Sequence, residues 1–503
     1  MKPLLRLQLF TFLLFSGNAA FAANSLPLWE AMERAAQVNP AIKSQQVEVE
    51  RQTLEQDIAR SQHLPRVDLN AAYTRYAYPT LVTPIREAGV FPPMDRDISN
   101  IGVALNLPLY SGGKLVAGEA LATHNREISV QALRAGGQDL LFNVVATYTK
   151  ALHFRELGKV LDARIKALQQ EESDTELRIK QGRAARLELI RLRTQLSQAR
   201  YDKVSVTQGE KDALALLASL LGERGAPPVL SGLGTTLPVL PVSAEDAMNQ
   251  GLQQRPDILR LDAMGKAAQQ KTAIARGDRL PQINLVAKAQ ESAGGDWKSY
   301  DDWQMGVQLS LPLFDGDIRK RKVDQASLEQ RQNALQQEDA RNRIAAEIEQ
   351  AFGALSEARA RQETAAQGEA EATEALRIET LRYHSGENTV TDLLGAESAL
   401  WSATANRLQA GYDITVSQAR LLRATGELAP DSFRPAATGA KRVSGGLSSL
   451  DAHTLTQYLS WHRCETTVCG NPVARNNTDE VPSRIAFTET DFLAYPIKQG
   501  ASL

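Results

Sequence analysis

The chain has 503 residues, of which 23% are charged, with a formal net charge of −2 and two cysteines. The mean hydropathy of −0.30 excludes a bundle of membrane-spanning helices. The near-neutral charge gives no reason to expect a nucleic acid as partner. The length is sufficient for two or three domains of ordinary size.

The first 22 residues have the pattern of a secretory signal peptide. Lys2 and Arg6 form a positive start, a mostly apolar run follows, and small residues place a cleavage site after Ala22. An ordinary buried N-terminal helix is the alternative, but the run is short and ends in small residues. No later run reaches the ~18 apolar residues of a transmembrane helix, so we expect an exported protein without a helical anchor.

The two halves of the chain match each other in sequence. Residues 38–70 match the stretch that begins at Gln254 with an offset of 216 residues, and LPLYSGG at 107–113 matches LPLFDGD at 311–317 with an offset of 204. The offset changes only between these two matches. This indicates a loop of different length, because loops tolerate insertions and packed helices do not. We therefore predict an internal duplication.

The matches also predict how the chain is divided. The predicted segments are a signal peptide at 1–22, a first structural repeat at 23–222, a linker at 223–241, a second repeat at 242–429 and a poorly ordered tail at 430–503. Each repeat contains a β-hairpin followed by a helical hairpin, at 66–110 and 113–222, then at 281–313 and 317–426. The tail holds Cys464 and Cys469, and the sequence leaves open whether they form a disulfide or, with His462, a metal site.

Two proline-free stretches, 113–180 and 317–384, predict unusually long helices. Between Leu141 and Leu168 apolar residues recur every three or four positions, as in a coiled-coil seam. One unbroken helix over the first stretch would be roughly 100 Å long. A shorter returning helix follows each stretch, so each half contains a helical hairpin with unequal arms.

Four segments alternate apolar and polar residues with a period of two, which predicts four β-strands of about ten residues each. In the first segment, Val67, Leu69 and Tyr73 alternate with polar or small neighbours. Aromatic residues cluster near the strand ends, as in the interfacial girdles of a membrane barrel. A soluble half-buried sheet shows the same alternation, but the signal peptide, the girdles and the long helices favour a membrane sheet.

Four strands cannot close a barrel, and an open sheet edge in lipid leaves backbone groups unpaired. The chain is therefore expected to oligomerise. Two copies would supply eight strands, which make a barrel filled by its own side chains. Three copies would supply twelve, with room for a lumen.

The duplicated order of three motifs resembles the TolC family of outer-membrane efflux and export channels. The motifs are the A-x-x-x-N-P and Q-R-P-D openings, two L-P-L-[YF]-x-G steps and two L-R-x-x-x-G turns, and the resemblance covers about 28–429. It implies a mainly α fold with β: long antiparallel helical hairpins that form an α-barrel in the periplasm, and four transmembrane strands per chain. A homotrimer in the cell outer membrane would complete a 12-stranded barrel, surrounded by lipid.

The resemblance also implies partners, namely a periplasmic membrane-fusion adaptor and an inner-membrane transporter. The predicted function is the outer-membrane channel of a tripartite efflux system, a passive duct from these partners to the cell exterior. The outer-membrane duct of a type I protein secretion system is the alternative, and a structural coiled-coil protein of the envelope is a third class. The sequence does not distinguish drug, metal, solvent or polypeptide as the substrate.

The resemblance implies a gate where the helical hairpins turn. Carried over by position, Tyr383, Glu188 and Asp392 are gate or pore residues, and Asn388 stands where the family's arginine is expected. This last difference puts a salt-bridged lock in doubt. The alternative is that the acidic residues are solvated charges at helix ends.

Two tips are defined by these turns, the first tip at 176–193 and the second tip at 377–397. Gly182 and Gly386 fit the left-handed position that ends a helix. The first tip is rich in arginine, including Arg183 and Arg186, whereas the second is mainly acidic and includes Glu387. We predict that these turns dock the adaptor and that it distinguishes the two tips by charge.

No enzyme, cofactor or metal site is expected. The sequence SGGK at 111–114 lies between a strand and a helix, as a phosphate loop does, but the first glycine and the final Ser or Thr of that motif are missing. The H-E-x-x-H and G-x-S-x-G motifs are also missing from the sequence, so it offers no nucleophile with an adjacent base.

Overall fold

The computed structural model describes residues 25–223, 229–233, 238 and 240–435. The helices are α1 (Leu28–Val38), α2 (Pro40–Ser61), α3 (Lys114–Lys180), α4 (Arg186–Leu220), α5 (Ala244–Gln254), α6 (Pro256–Gly277), α7 (Ile318–Ser385) and α8 (Val390–Thr425), with a 3-10 turn at Pro430–Phe433. The strands are β1 (Arg66–Leu81), β2 (Met94–Tyr110), β3 (Gln282–Ala293) and β4 (Ser299–Ser310). The predicted signal peptide, both cysteines and most of the predicted tail lie outside the described residues.

The same element order occurs in both halves: a short helix, a second helix, two strands, a long helix and a returning helix. The long helices α3 and α7 contain 67 and 68 residues. Near the sheet, α2 packs beside α3, where the Arg60 guanidinium lies 2.8 Å from the Glu119 carboxylate. Nearer the turn, α4 takes over as neighbour, and Lys203 Nζ lies 2.7 Å from Asp162 Oδ2. Two shorter helices therefore cover one long helix.

The four strands form one antiparallel sheet in the order β1-β2-β3-β4. Its register aligns Leu69, Val103, Ala289 and Trp303 in one row, which continues the same face of the sheet across all four strands. We call this face the apolar face; its large side chains are exposed, among them Val67, Leu69, Val103, Trp303, Met305 and Val307. The opposite face is mainly polar, and one of its rows contains Asn70, Gly102, Gln290 and Asp302.

The expected strand length of about ten residues was wrong for the first hairpin. β1 and β2 have 16 and 17 residues, whereas β3 and β4 have 12 each. Pairing continues beyond the alternating segment through a register shift between Arg75 and Thr80. Backbone hydrogen bonds do not require an alternating pattern, so the periodicity underestimated the paired length. Among the described residues, no helix is both long and apolar enough to cross a membrane.

The largest apolar cluster surrounds Val144 and Tyr148 on α3 and includes side chains of α1, α4 and α8. Tyr148 is fully buried. Its hydroxyl lies 2.8 Å from the Leu26 carbonyl oxygen and 2.7 Å from that of Ser231, so two segments outside the helices are held against α3. A second cluster joins α5, α6, α7 and α8 around Ile348. In each half, the short first helix thus packs against the long helix.

Candidate functional site at the helical turns

Both turns between long and returning helices use a left-handed glycine. Gly182 has φ 71° and Gly386 has φ 80°. The N–H of Gly182 donates to the Ile179 carbonyl at 2.9 Å, and the N–H of Gly386 donates to the Tyr383 carbonyl at 3.1 Å. These bonds satisfy carbonyls that the end of a helix leaves unpaired, and glycine adopts the required φ without a steric penalty from Cβ.

The two predicted acidic residues lie at equivalent places, each in the first turn of a returning helix. The Glu188 carboxylate accepts a hydrogen bond from the Ala185 N–H at 3.3 Å. The Asp392 carboxylate accepts from the Thr389 N–H at 3.1 Å and from the Thr389 hydroxyl at 2.7 Å. The hydrogen bonds from Thr389 lower the pKa of Asp392 below its ordinary value of 3.8. Both acids thus cap helices, where negative charge is favoured.

Tyr383 lies in the apolar cluster that joins the two tips, which we call the tip core. Only 5% of Tyr383 is exposed, and it packs with Leu168 of α3, Leu192 of α4 and Leu394 of α8. Its hydroxyl lies 3.4 Å from the Glu188 carboxylate and donates to it. Burial raises the pKa of the phenol above its ordinary value of 10.0, so the donor remains protonated. The structure therefore brings Tyr383 and Glu188 together.

Two residues of α3, Arg178 and Glu171, complete this contact, which the sequence analysis did not predict. The Arg178 guanidinium lies over the Tyr383 ring, 4.6 Å from its centroid. It also pairs with the Glu171 carboxylate at 2.5 Å. Glu171 and Arg178 are seven residues apart, or about two helical turns. This spacing places them on one face of α3 and can be read from the sequence. That their shared partner is a tyrosine on α7 is not visible in the sequence.

The structure does not place Asn388 with Tyr383 and Glu188. The Asn388 side-chain amide donates to the Glu379 carboxylate, which is on α7 and also faces Arg382 at 4.0 Å. Within the described chain, no hydrogen bond joins Asn388 to Tyr383 or Glu188. An uncharged amide at this position therefore makes a contact within the second tip.

Several of the tip charges are held by partners within the chain, so fewer of them are unpaired than the sequence predicts. In the first tip, Arg178 and Arg193 are held in ion pairs, and Arg191 donates to the Thr391 hydroxyl across the tips. Lys180, Arg183 and Arg186 are exposed and form no ion pair within the described part of the chain. Three exposed large apolar side chains lie beside them, namely Leu177, Leu187 and Ile190. The second tip offers Glu387, which is exposed and makes no ion pair with any described residue.

A cavity of about 160 Å³ lies within the tip core. It is lined by Glu171, Glu397 and apolar side chains of all four long and returning helices, including Leu168, Leu192, Leu376 and Leu393. Burial raises the pKa of Glu397 above its ordinary value of 4.5, and the nearby Arg164 opposes part of this effect. A carboxylate in such a place favours its neutral form.

Glu397→Gln is therefore expected to strengthen the tip core at neutral pH. Because the folded-state pKa is raised, the stabilising neutral carboxyl is fully present below pH 4.5 and is lost as the pH rises through the raised pKa. Hydrogen-exchange protection of residues 390–400 should be higher in the variant at about pH 7 and equal to wild type at about pH 4. Exposed Glu387→Gln is the control and should change neither value. Equal protection of wild type and E397Q at neutral pH would contradict this prediction.

Comparison with known proteins assigns the chain to a protein family. The family model described as "Outer membrane efflux protein" matches residues 31–223 and 247–427. The outer membrane efflux protein BepC of Brucella suis biovar 1 is 24% identical over 416 residues, which cover 82% of this chain and 88% of BepC. The alkaline protease secretion protein AprF of Pseudomonas aeruginosa is 25% identical over 475 residues, which cover 89% of this chain and 95% of AprF.

The fold is also similar to that of a solved channel. The crystal structure of the Campylobacter jejuni CmeC outer membrane channel aligns with a TM-score of 0.69 at 19% identity, covering 80% of this chain and 85% of CmeC. The predicted resemblance to outer-membrane efflux channels is confirmed by the family match, and the predicted mainly helical fold with β-strands is that of these channels. The chain belongs to the outer membrane efflux protein family.

Proposed function

We propose that this outer-membrane efflux protein is a passive duct built from three copies of the chain. The observation that carries the proposal is the four-stranded sheet, which has an exposed apolar face, a polar face and two edge strands, β1 and β4, unpaired in the described chain. In lipid each unpaired backbone group costs several kcal/mol. The edges therefore pair with those of other copies in this proposal.

The polar face of the sheet favours three copies over two. Asn70, Gln290 and Asp302 lie in one row of this face, and such side chains require a water-filled interior. Eight strands leave an interior that side chains fill, whereas twelve leave a lumen. The homotrimer therefore has a 12-stranded barrel in the outer membrane, and the long helical hairpins continue it as an α-barrel in the periplasm. The exported chain begins after the proposed signal peptide 1–22, and N-terminal sequencing of the mature protein tests this.

The tips form the periplasmic gate in this proposal. Tyr383 and Glu188 hold the two hairpins of one chain together, and Asp392 adds an exposed negative charge at the same level of the tip. Asn388 replaces the expected arginine and makes its hydrogen bond within the second tip. A salt bridge from that position is therefore not part of the proposed gate. A periplasmic adaptor opens the gate, and an inner-membrane transporter supplies the energy.

The adaptor docks on the turns at Gly182 and Gly386. The first tip presents exposed Arg183 and Arg186 beside apolar side chains, and the second presents Glu387. An acidic, apolar-tipped adaptor hairpin is complementary to the first surface, and a basic one to the second. The different sign of the two surfaces lets one adaptor recognise two distinct grooves.

Reversing the charge of the first tip with Arg183→Glu and Arg186→Glu should weaken adaptor binding roughly tenfold at low ionic strength, and the difference should shrink as salt is added. Surface plasmon resonance with the adaptor in a salt series measures this. The matched control is Lys166→Glu with Lys211→Glu, an equal charge change at exposed positions of α3 and α4 outside the tip. Adaptor binding that responds equally to both pairs, or to neither, would contradict a docking role for the first tip.

Protein secretion is the second candidate function, favoured by the similarity to AprF, whose name describes alkaline protease secretion. Both functions use the same duct, and the partner distinguishes them. A photo-cross-linking residue at Arg183, followed by mass spectrometry of the captured protein, identifies the adaptor in living cells. Capture of an adaptor encoded with a drug-type pump supports efflux, whereas one encoded with a protease exporter supports secretion. Correct outer-membrane localisation with no adaptor captured would contradict the docking proposal.

A further inference from the structure

The Tyr383 ring in the tip core is held by three elements besides its own helix. Its hydroxyl faces Glu188 on α4, apolar side chains of α4 and α8 surround it, and the Arg178 guanidinium of α3 covers one ring face at 4.6 Å. Arg178 is thus a charged contact from the first long helix to the second. Opening of the tips by separation of α7 from α3 would break it.

The surroundings of Arg178 favour a strong contact. The side chain is only 26% exposed and its partner Glu171 is 17% exposed, so solvent screens the pair less than at a free surface. A cation–π contact gains strength when it is partly desolvated. The ion pair at 2.5 Å with Glu171, on the same helix, fixes the direction of the guanidinium before it meets the ring. A planar guanidinium can stack on an aromatic face while it donates hydrogen bonds, which a lysine ammonium cannot do in the same way.

Three other arginines of the tips are held by carboxylates instead of by the Tyr383 ring. Arg382 faces Glu379, and Arg377 pairs with Glu374 at 2.8 Å, both within α7. Arg193 is held by Glu172 and Glu176 of α3 at 2.7 and 2.6 Å. Among the described residues, Arg178 is the cation that contacts the Tyr383 ring.

We propose that Arg178 is a positioning residue of the gate, which keeps the Tyr383 ring seated between α3 and α4 in the closed state, with Glu171 orienting the guanidinium. The inference rests on the proposed function, because it requires the tip to be the gate. In this inference, the cation that stabilises the closed state is Arg178 on α3. It is not an arginine in the turn between α7 and α8, where this chain has Asn388.

Single-channel recording of the purified, full-length protein in planar lipid bilayers tests the inference. Arg178→Ala should raise the open probability roughly fivefold, in the range expected for loss of one partly desolvated cation–π contact. Arg178→Lys should give an intermediate value, because it keeps the charge and loses the planar fork. Lys180→Ala removes an exposed charge two residues further along α3 and should leave the open probability unchanged.

A double-mutant cycle distinguishes a role of Arg178 in positioning Tyr383 from a general role in stability. If Arg178 acts through Tyr383, then R178A combined with Tyr383→Leu should open the channel no more than Y383L alone. Additive effects would overturn the inference. Thermal unfolding of R178A should match that of wild type, because the tip core lies in a cluster separate from the two clusters around Val144 and Ile348.

The outcomes also separate this inference from the proposed function. If Y383L or Glu188→Gln opens the channel and R178A does not, Arg178 is not a positioning residue and the gate stands. If the protein conducts but no tip variant changes the open probability, the gate itself is wrong and the inference fails with it. If wild type and every variant insert into the bilayer without conducting ions, the proposed function as a passive duct is wrong, and the inference about Arg178 fails with it.

Discussion

Val103→Arg should prevent assembly of the protein in the outer membrane. Val103 lies in the row of the apolar face that also contains Leu69 and Trp303, and its side chain is exposed in the single chain. An arginine on the lipid face of a barrel costs about 2–4 kcal/mol at the bilayer midplane. Because the cost recurs in each copy of the proposed trimer, we expect the variant to be lost from the outer-membrane fraction on a density gradient.

The control for this substitution is Asn70→Arg. Asn70 lies next to Leu69 along β1 and points to the polar face, in the same row as Asp302. An arginine there would face the proposed lumen, so N70R should reach the outer membrane at the wild-type level and alter only ion selectivity. Wild-type recovery of V103R, or equal loss of both variants, would show that the apolar face is not the face in contact with lipid.

Leu217→Ala and Leu421→Ala should each destabilise the protein by about 2–5 kcal/mol, the range for a leucine truncated in a packed core. Both side chains are fully buried. They lie on the returning helices α4 and α8, 204 residues apart, which is the offset that relates the two halves. Leu217 packs in the cluster around Tyr148, and Leu421 packs in the cluster around Ile348. Denaturant unfolding of the purified protein in detergent measures the loss.

Leu216 supplies a control in the same helix turn. It is 55% exposed, so Leu216→Ala removes the same atoms with little loss of buried area and should cost much less. The two core variants should show similar losses if the repeats use equivalent packing. A large loss for Leu217 with almost none for Leu421 would mean that the related positions have diverged in energetic role.

Much of the fold follows from local features of the sequence. The long helices follow from the absence of proline over 113–180 and 317–384 and from apolar residues at helical spacing, because each residue in a helix interacts mainly with neighbours three and four positions away. The strands follow from their alternation. The left-handed turns follow from Gly182 and Gly386. These features depend on interactions between residues close together in the chain, so local sequence patterns are sufficient to predict them.

The contacts at the candidate gate join residues that are far apart in the chain, and the sequence patterns did not predict them. Tyr383 and Glu188 were found only by resemblance, and the contact of Tyr383 with Arg178 joins residues 205 positions apart. The sequence also did not predict which tip arginines are paired: Arg193 is paired with acids of α3, while Arg183 forms no ion pair with a described residue. A side chain's partners depend on which helices pack together, and the sequence pattern states only which face of each helix is apolar. Packing of α3, α4, α7 and α8 at the tips therefore decided which residues meet at the candidate gate.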